Sequence, residues 1–488
     1  MQASLVPVPQ RVELGDGRFR LTGATGSHWA PEVIAGWLRE RTGLPLDDGE
    51  TSLRFGLGWE GPPESYRLTI TSDGVQVEAA DDAGLYYAGC TLEQLLDHGP
   101  DGWALPTGVI QDAPRFGHRG MMLDVARHFF DVATVKRLID QLARLKLNVL
   151  HLHLSDDQGW RLEIRSRPGL TGQPGEGYYR RAEYADLVEY AAARQVTIVP
   201  EIDLPGHTHA VGLAYPGLVE PPVLNQRTLA NIQGTDGVIP EAGRPFHGMG
   251  VGFSSLRIDH EPTYEFVADV LGELAELTPG RYLHIGGDEC LGTPPEAFAG
   301  FLRRVTGIVA GLGKTPIAWH EAGAVPGIAA GTVGQYWGFL TPDDDADDSA
   351  RRLVDAGSRL ILSPADAMYL DMHHEPGEHP GLDWANGPTG LPHSYDWEPT
   401  GLIPGVDEAE ILGVEAALWT EQVTTPAEID ALVFPRLAAV AEIAWSAPAG
   451  TPGRNWPEFR SRVAGLAPGW RAQGIGFTPV PEVEWVAG

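Results

Sequence analysis

Over the first 113 residues the apolar positions fall mainly at every second place. In "YRLTITSDGVQVEA", Tyr66, Leu68 and Ile70 precede Asp73-Gly74, while Val75 and Val77 follow it. That pattern predicts two strands joined by a tight hairpin turn. The spacing then changes: Leu85, Tyr86, Leu92, Leu95 and Leu96 recur at helical intervals, predicting a helix that stops at Gly99. Strands followed by a helix predict a small α+β domain spanning residues 1–113.

Beyond residue 114 the pattern becomes short apolar runs separated by amphipathic stretches. Eight runs stand out, at 120–126, 148–154, 197–203, 282–287, 316–320, 332–338, 359–364 and 411–419. Helical spacing follows most of them, at 131–147, 182–195, 262–280, 295–314, 347–357 and 427–445, and a last helix is predicted at 456–474. Eight strands alternating with helices are the signature of a closed parallel barrel. The predicted fold is therefore α/β: a (β/α)8 TIM-type barrel over residues 114–488, irregular after strands 5 and 7, where no good helix follows. Two connections are long, at about 208–256 and 366–410, and both leave carboxyl-terminal strand ends, the face on which barrel enzymes carry their active sites.

Composition narrows the partners. The 488-residue chain carries a net charge of −31, which repels phosphate backbones and anionic lipid surfaces, so neither nucleic acid nor membrane is an expected partner. No apolar stretch is long enough for a membrane-spanning helix, and "MQASLVPVPQ" lacks the basic and apolar regions of a secretory signal. A cytoplasmic location is expected, or a secreted one if a leader has been removed. Two distant cysteines, Cys90 and Cys290, imply no disulfide framework.

The strand ends carry the chemistry. In order they supply Asp124 and Arg127; Asp156 and Asp157; Asp203 and His207; Asp288 and Glu289; Trp319; Trp337; Tyr369 and Asp371; Trp419 and Glu421. Carboxylates, an arginine and aromatic rings around one mouth suit a sugar, whose ring faces stack on indoles while its hydroxyls pair with charged groups. In "HIGGDEC" Asp288 and Glu289 are adjacent, and neighbouring strand residues face opposite ways, so both reach one pocket only if Gly286-Gly287 lets the chain leave the strand. Two close carboxyls disfavour each other's ionisation, so one of them is expected to titrate high, as a general acid must.

Two other readings compete. His151-x-His153 followed by Asp156-Asp157 could belong to a metal-dependent barrel hydrolase, although a zinc site needs a third ligand and an open position; interior barrel positions are expected instead, with no metal and no cofactor. A non-catalytic sugar-binding protein would keep the pocket without needing an intact Asp288-Glu289.

"LDVARHFF", "HLHLSDDQGWR", "PEIDLPGHTHA", "HIGGDE", "QYWG", "MYLDM" and "LWTE", in this order, resemble the β-N-acetylhexosaminidases of glycoside hydrolase family 20. The likeness runs from about residue 118 to 475, and the first domain resembles the α+β domain that precedes the barrel in that family. It implies an exo-acting retaining enzyme that removes terminal β-linked N-acetylglucosamine or N-acetylgalactosamine, the substrate's own 2-acetamido carbonyl acting as nucleophile. On this resemblance Glu289 is the acid and base, Asp288 holds the acetamido N–H, and Tyr369 donates to the acetamido oxygen. Trp319, Trp337 and Trp419 wall the pocket, with Trp384 as a further wall. Arg127, Glu421 and Asp371 bind outer hydroxyls, Asp156 supports Arg127 or touches sugar, and Asp203 and His207 form a buried pair that tunes Glu289. The stretch 213–252 is expected to shape a leaving-group site.

Overall fold

The alternating amino-terminal segment forms a seven-stranded sheet, and the later apolar runs close into a barrel. The computed structural model describes residues 4–46, 51–172, 177–341, 346–377 and 380–486. Its sheet consists of β1 (Arg11–Arg20), β2 (Thr25–His28), β3 (Thr51–Leu57), β4 (Tyr66–Ile70), β5 (Val75–Ala79), β6 (Asp97–Gly99) and β7 (Gly102–Asp112). The strand order is β1-β7-β4-β5-β3-β2, with β6 beside β7. β4 and β5 pair antiparallel around Asp73-Gly74, with Ile70 opposite Val75, as the alternation predicts. Helix α2 (Asp82–Leu95) packs on the sheet and α1 (Glu32–Thr42) packs on α2. α2 ends short of Gly99, because the backbone turns extended at Leu96 and the next residues pair with β7 as β6. Gly99 is a strand residue, not the predicted helix stop.

The barrel runs β8 (His118–Asp124), α3 (Val132–Arg144), β9 (Val149–His153), α4 (Arg181–Ala192) and β10 (Thr197–Glu201), then α5 (His209–Ala214), α6 (Gln226–Gly234), α7 (Glu261–Leu277) and β11 (Tyr282–His284). There follow α8 (Pro295–Gly311), β12 (Thr315–Trp319), β13 (Val333–Tyr336), α9 (Ala346–Asp355) and β14 (Leu360–Leu362). The short α10 (Ala365–Met368), α11 (Leu391–Tyr395) and α12 (Pro399–Leu402) lead to β15 (Ile411–Leu418), which closes onto β8. All eight strands are parallel. A 3-10 turn at His320–Ala324 stands after β12, and among the described residues the short α10 to α12 and a 3-10 turn at Glu408–Glu410 follow β14, so the barrel is irregular at the two expected places. The predicted helix 427–445 is two, α13 (Pro426–Val433) and α14 (Arg436–Trp445), because Pro435 has no N–H to continue the ladder. The last one likewise divides, into α15 (Trp456–Ala464) and α16 (Ala467–Ala472), with Pro468 in the first turn of the second.

A buried polar seam joins sheet and barrel. Lys146 Nζ donates to Asp112 Oδ2 at 2.9 Å and to the Tyr66 hydroxyl at 2.8 Å, and Trp445 Nε1 donates to the same Asp112 oxygen at 2.9 Å. From β8, Arg119 reaches Glu64 at 2.6 Å while its guanidinium lies 4.9 Å from the Trp445 ring centre.

Inside the barrel, side chains two residues apart along a strand rise through three layers. An apolar plug of Val149, Val199, Ile317, Val333, Ile361 and Leu412 fills the end where the strands begin. Two residues on, His151, Glu201 and Gln335 turn inward, and Glu415, three beyond Leu412, joins them; all four are buried. Glu415 lies 2.7 Å from His118 Nε2 and 2.8 Å from His151 Nδ1, and accepts from Gln335 at 2.9 Å. Glu201 lies 3.0 Å from His151 Nε2, 2.5 Å from His153 Nδ1 and 2.9 Å from His284 Nδ1. Above this polar layer the third layer, described below, is aromatic.

Burial would pull His151 down, but Glu201 and Glu415 outweigh it and raise the imidazole to about 9. A histidine whose folded value lies above its ordinary 6.5 stabilises the fold as a cation, a contribution complete below 6.5 and lost as pH rises through about 9. The unfolding midpoint is therefore expected to fall over that window, and His151→Gln to flatten the fall. A wild-type midpoint constant from pH 6.5 to 9 would contradict a cationic His151.

Candidate active site

Past β11 the chain turns sharply. Gly286 and Gly287 take φ of 65° and 100°, the left-handed region that glycine tolerates. A Cβ on Gly286 would lie 1.7 Å from Asp203 Oδ1, so only glycine fits. The turn carries Asp288 and Glu289 out of the strand alternation and into one pocket: His207 Nε2 lies 3.8 Å from Asp288 Oδ2 and 3.7 Å from Glu289 Oε2. Glu289 itself has φ 46°, unfavourable for a glutamate.

The carboxyls differ in environment. Burial first, then the charge of Asp288, holds Asp203 well above the usual carboxylate range. Its Oδ1 accepts the Gly287 N–H at 3.0 Å, and burial raises Asp288 as well, with His207 opposing the rise. Burial also raises Glu289, to about 7, with Asp288 and Glu321 adding to the rise and His207 opposing it. Desolvation, more than the adjacent Asp288, thus makes Glu289 titrate high. On Asp156, Arg127 and His207 outweigh burial and keep the carboxyl well below its ordinary value.

His207 corrects one expectation. Its Nδ1 faces Asp156 Oδ1 at 3.1 Å, so Asp156, not Asp203, is the carboxylate that orients the ring. His153 Nε2 meets the other Asp156 oxygen at 2.8 Å, which links the pocket to Glu201 below. Asp157 turns away to accept the His209 N–H at 2.9 Å and so holds the start of the 208–256 excursion.

On the far wall Arg127 lies 3.0 Å from Asp156 Oδ2, 3.5 Å from Asp124 Oδ2 and 3.9 Å from Glu421 Oε1. Five buried polar atoms here have no hydrogen-bond partner: Arg127 Nε, Glu421 Oε2, Asp371 Oδ2, Asp288 Oδ1 and His207 Nε2. Left alone, such groups cost stability, and their burial suits a polar ligand.

Between the carboxyls stands an aromatic cup. Trp319, Tyr369 and Trp419 are buried on Met122 and Ala417, with Trp337 packed against them. Ring centres lie 6.1 Å apart for Trp319 and Trp419, 6.2 Å for Tyr369 and Trp419, and 5.7 Å for Tyr369 and Trp384. Trp384 is 49% exposed, a rim residue rather than a buried wall. Burial, with Asp288 and Asp371 nearby, pushes the Tyr369 phenol well above its ordinary range, which keeps it a hydrogen-bond donor.

Three groups escaped sequence reasoning. Glu201 accepts the Trp319 indole N–H at 3.1 Å and gathers three imidazoles; its signal was a charge inside an apolar strand. Glu321 accepts the Trp337 indole N–H at 3.2 and 3.1 Å, and burial raises it to about 7. His320, which burial lowers to about 4, accepts the Trp337 backbone N–H at 3.3 Å. The stretch 213–252 borders, with Arg127 and Glu421, a cavity of about 130 Å³ through Leu213, Pro245, His247 and Met249, and its Gly252 also lies against the Glu289 carbonyl.

His151, Glu201 and His284 bring donor atoms within 4.8 Å of one another, as do three sets that include Asp156 or Asp203. The His151 nitrogens, however, sit between Glu201 and Glu415, and those of His153 between Glu201 and Asp156. A metal there would have to displace carboxylates that already face the nitrogens of His151 and His153.

A parallel barrel whose mouth joins close-set carboxyls to an aromatic cup defines the class: a glycoside hydrolase. Residues 116–297 and 291–448 match the catalytic domain of glycosyl hydrolase family 20, and residues 2–113 match domain 2 of that family. The chain is 38% identical to a β-N-acetylhexosaminidase of Cellulomonas fimi, over 99% of this chain and 97% of that one. Among solved structures, a glycoside hydrolase family 20 β-N-acetylglucosaminidase superposes with a TM-score of 0.92 at 50% identity, covering 99% and 100% of the two chains. The Streptomyces coelicolor β-N-acetylhexosaminidase does so at 0.89 and 40%, covering 99% of each chain. The chain belongs to glycosyl hydrolase family 20, and its activity is that of a β-N-acetylhexosaminidase.

Glu201→Gln removes the charge on which His151, His153, His284 and Trp319 converge. Breaking a buried ionic cluster is expected to cost on the order of 3 kcal/mol. The denaturant midpoint should fall accordingly and Trp319 fluorescence should lose its rigid, buried character; an unchanged midpoint would mean that Glu201 is not the hub described.

Proposed function

We propose that the enzyme is exo-acting and retaining, and removes terminal β-linked N-acetylhexosamine by substrate-assisted catalysis. The observation that carries this reading is the pair of carboxyls turned into one pocket, with His207 Nε2 3.8 Å from Asp288 and 3.7 Å from Glu289, and Glu289 raised to about 7 by burial. A glutamic acid protonated near neutrality is a proton donor, whereas a charged aspartate beside it, under an apolar cup, suits a developing cation.

In the proposed reaction the 2-acetamido carbonyl oxygen attacks the anomeric carbon. The glycosidic bond breaks as Glu289 gives its proton to the departing oxygen. The resulting oxazolinium donates its N–H to Asp288, whose charge offsets the new positive charge. Tyr369 donates to the acetamido oxygen. Trp319 and Trp419 enclose the acetamido methyl, Trp337 closes the side and Trp384 the rim, which keeps the reacting atoms aligned and water out. Glu289, now a carboxylate, takes a proton from water that attacks the anomeric carbon, and the carbon–oxygen bond to the amide breaks with the β configuration restored.

Arg127, Glu421 and Asp371 take the outer hydroxyls of the terminal sugar, with Asp156 holding Arg127 and His207 in place. That assignment supports the exo mode, because the arginine and two carboxyls close the non-reducing end. Two relatives agree with this choice of sugar and mode: a Streptomyces plicatus β-hexosaminidase structure contains the product GlcNAc, and a Vibrio harveyi enzyme is an exo β-N-acetylglucosaminidase.

The sugar's own nucleophile sets the test. A 2-hydroxy glucoside is expected to be turned over slower by several powers of ten, the range an intramolecular nucleophile supplies. Comparable rates on glucoside and N-acetylglucosaminide would revive an enzyme nucleophile. Glu289→Gln is expected to abolish turnover of a disaccharide while sparing a dinitrophenyl N-acetylglucosaminide, whose leaving group needs little protonation. Equal losses on the two would remove Glu289 as the acid.

A further inference from the structure

Resting on the reading that Arg127 and Glu421 take the outer hydroxyls of the terminal sugar, the cavity beside these two residues extends the site. We propose that it receives a small uncharged substituent, an O-acyl group such as an acetyl ester, carried on one of those hydroxyls, so that the enzyme releases O-acylated N-acetylhexosamine intact.

The cavity of about 130 Å³ shares Arg127 and Glu421 with the sugar site, but neither Glu289 nor Asp288 nor any ring of the aromatic cup lines it. It is thus an extension past the outer hydroxyls, apart from the reacting groups. Four connections on the carboxyl-terminal face build it: Arg127 follows β8, Gln158 and Trp160 follow β9, Ala210 and Met249 belong to the excursion after β10, and Glu421 follows β15. These walls are tied to one another. Gln158 Nε2 donates to the Gly248 carbonyl at 2.8 Å, which fastens the β9 connection to the excursion, and Asp157 Oδ1 accepts the His209 N–H at 2.9 Å at the excursion's start. The cavity is therefore a fixed part of the fold.

Size limits the occupant. A cavity of about 150 Å³ holds one benzene ring, so this one takes a group of about half a dozen heavy atoms and not a further pyranose, which keeps the exo mode. Charge limits it again. Arg127 has Asp156 at 3.0 Å, Asp124 at 3.5 Å and Glu421 at 3.9 Å, and Arg161, the other guanidinium of the lining, donates to the backbone carbonyls of Val125 and Ala126. Of the imidazoles, His128 gives its Nδ1–H to the Thr420 carbonyl at 2.6 Å, and His247 stands exposed at the rim. A sulfate or carboxylate here would face Glu421 with both guanidiniums already engaged. An acyl ester suits what remains: its methyl packs against Trp160, Ala210 and Met249, and its carbonyl oxygen takes the Arg127 Nε–H, which has no acceptor among the described residues.

The test compares kcat/KM for a nitrophenyl β-N-acetylglucosaminide with that for its esters acetylated at the 3-, 4- or 6-oxygen, the released sugar being identified by mass spectrometry. One ester is expected to stay within about 10-fold of the parent and to be released with its acetyl group, while the other two fall by about 100-fold or more, the scale of a group forced into a packed wall. A sulfate at the favoured position should fall with the refused esters. Ala210→Leu and Met249→Trp, which fill the cavity, should each lose about 10-fold or more on the favoured ester and leave the parent within about 2-fold. The ratio of the two substrates does not depend on how much of a variant folds. Refusal of all three esters, equal turnover of all three, a sulfate taken as readily as the ester, or two cavity-filling variants that treat ester and parent alike overturns the proposal. Glu421→Gln, assayed on the parent alongside, separates the two readings. If it loses nothing, the outer hydroxyls do not lie at Arg127 and Glu421 and the underlying reading has failed; if it loses about 10-fold or more and the esters are refused, only the role of the cavity has.

Discussion

Burying so many carboxyls in one barrel is the constraint from which the rest of the structure follows. A carboxylate removed from water either finds cations and donors or keeps its proton. Glu201 and Glu415 take the first course, held well below their ordinary range by the imidazoles of His284, His153, His151 and His118. Asp203 and Glu289 take the second, at the end of the same connected network. The polar layer is thus continuous with the site: His118, Glu415, His151, Glu201, His153, Asp156 and His207 follow one another at 2.5 to 3.1 Å up to the pocket that holds Asp288 and Glu289.

The network explains why the floor of the site is rigid. Trp319, 1% exposed, is tied by its indole to the same Glu201 that orders the imidazoles, and Trp419 stacks edge-on against His153 at 5.0 Å. The Arg127 guanidinium lies 4.9 Å from the Trp419 ring centre, so this cation rests on the aromatic cup. Charge below and aromatic packing above hold the same few side chains from two directions.

Much of this was legible in the chain, and the gaps have physical causes. Apolar runs located all eight barrel strands, because strands buried on both faces show as continuous hydrophobic stretches. The Gly286-Gly287 pair announced the turn that brings Asp288 and Glu289 together, and the strand-end aromatics pointed to the cup. Pairing was harder. His207 and Asp203 are close in sequence, yet Asp156 takes the His207 ring, since the partner is set by the lateral approach of β9 and β10 and not by spacing. Glu201 and Glu321 were passed over because each looks incidental beside a neighbour, one inside an apolar strand and one after Trp319-His320; only the barrel's closure shows what they touch. Pro435 and Pro468 marked the divided helices in plain view, but the surrounding apolar spacing hid them.

The central claim is that Glu289 keeps its proton in a pocket that it shares with Asp288. Site-specific carbon-13 titration of the Glu289 carboxyl tests it most directly, in the wild-type enzyme and in Asp288→Asn. The account predicts a wild-type midpoint near the value of about 7 that burial and its neighbours impose, and a lower midpoint in the variant, where the adjacent negative charge is gone. A wild-type carboxyl that titrates in the ordinary range of glutamates, or a variant midpoint that stays put or rises, would contradict it.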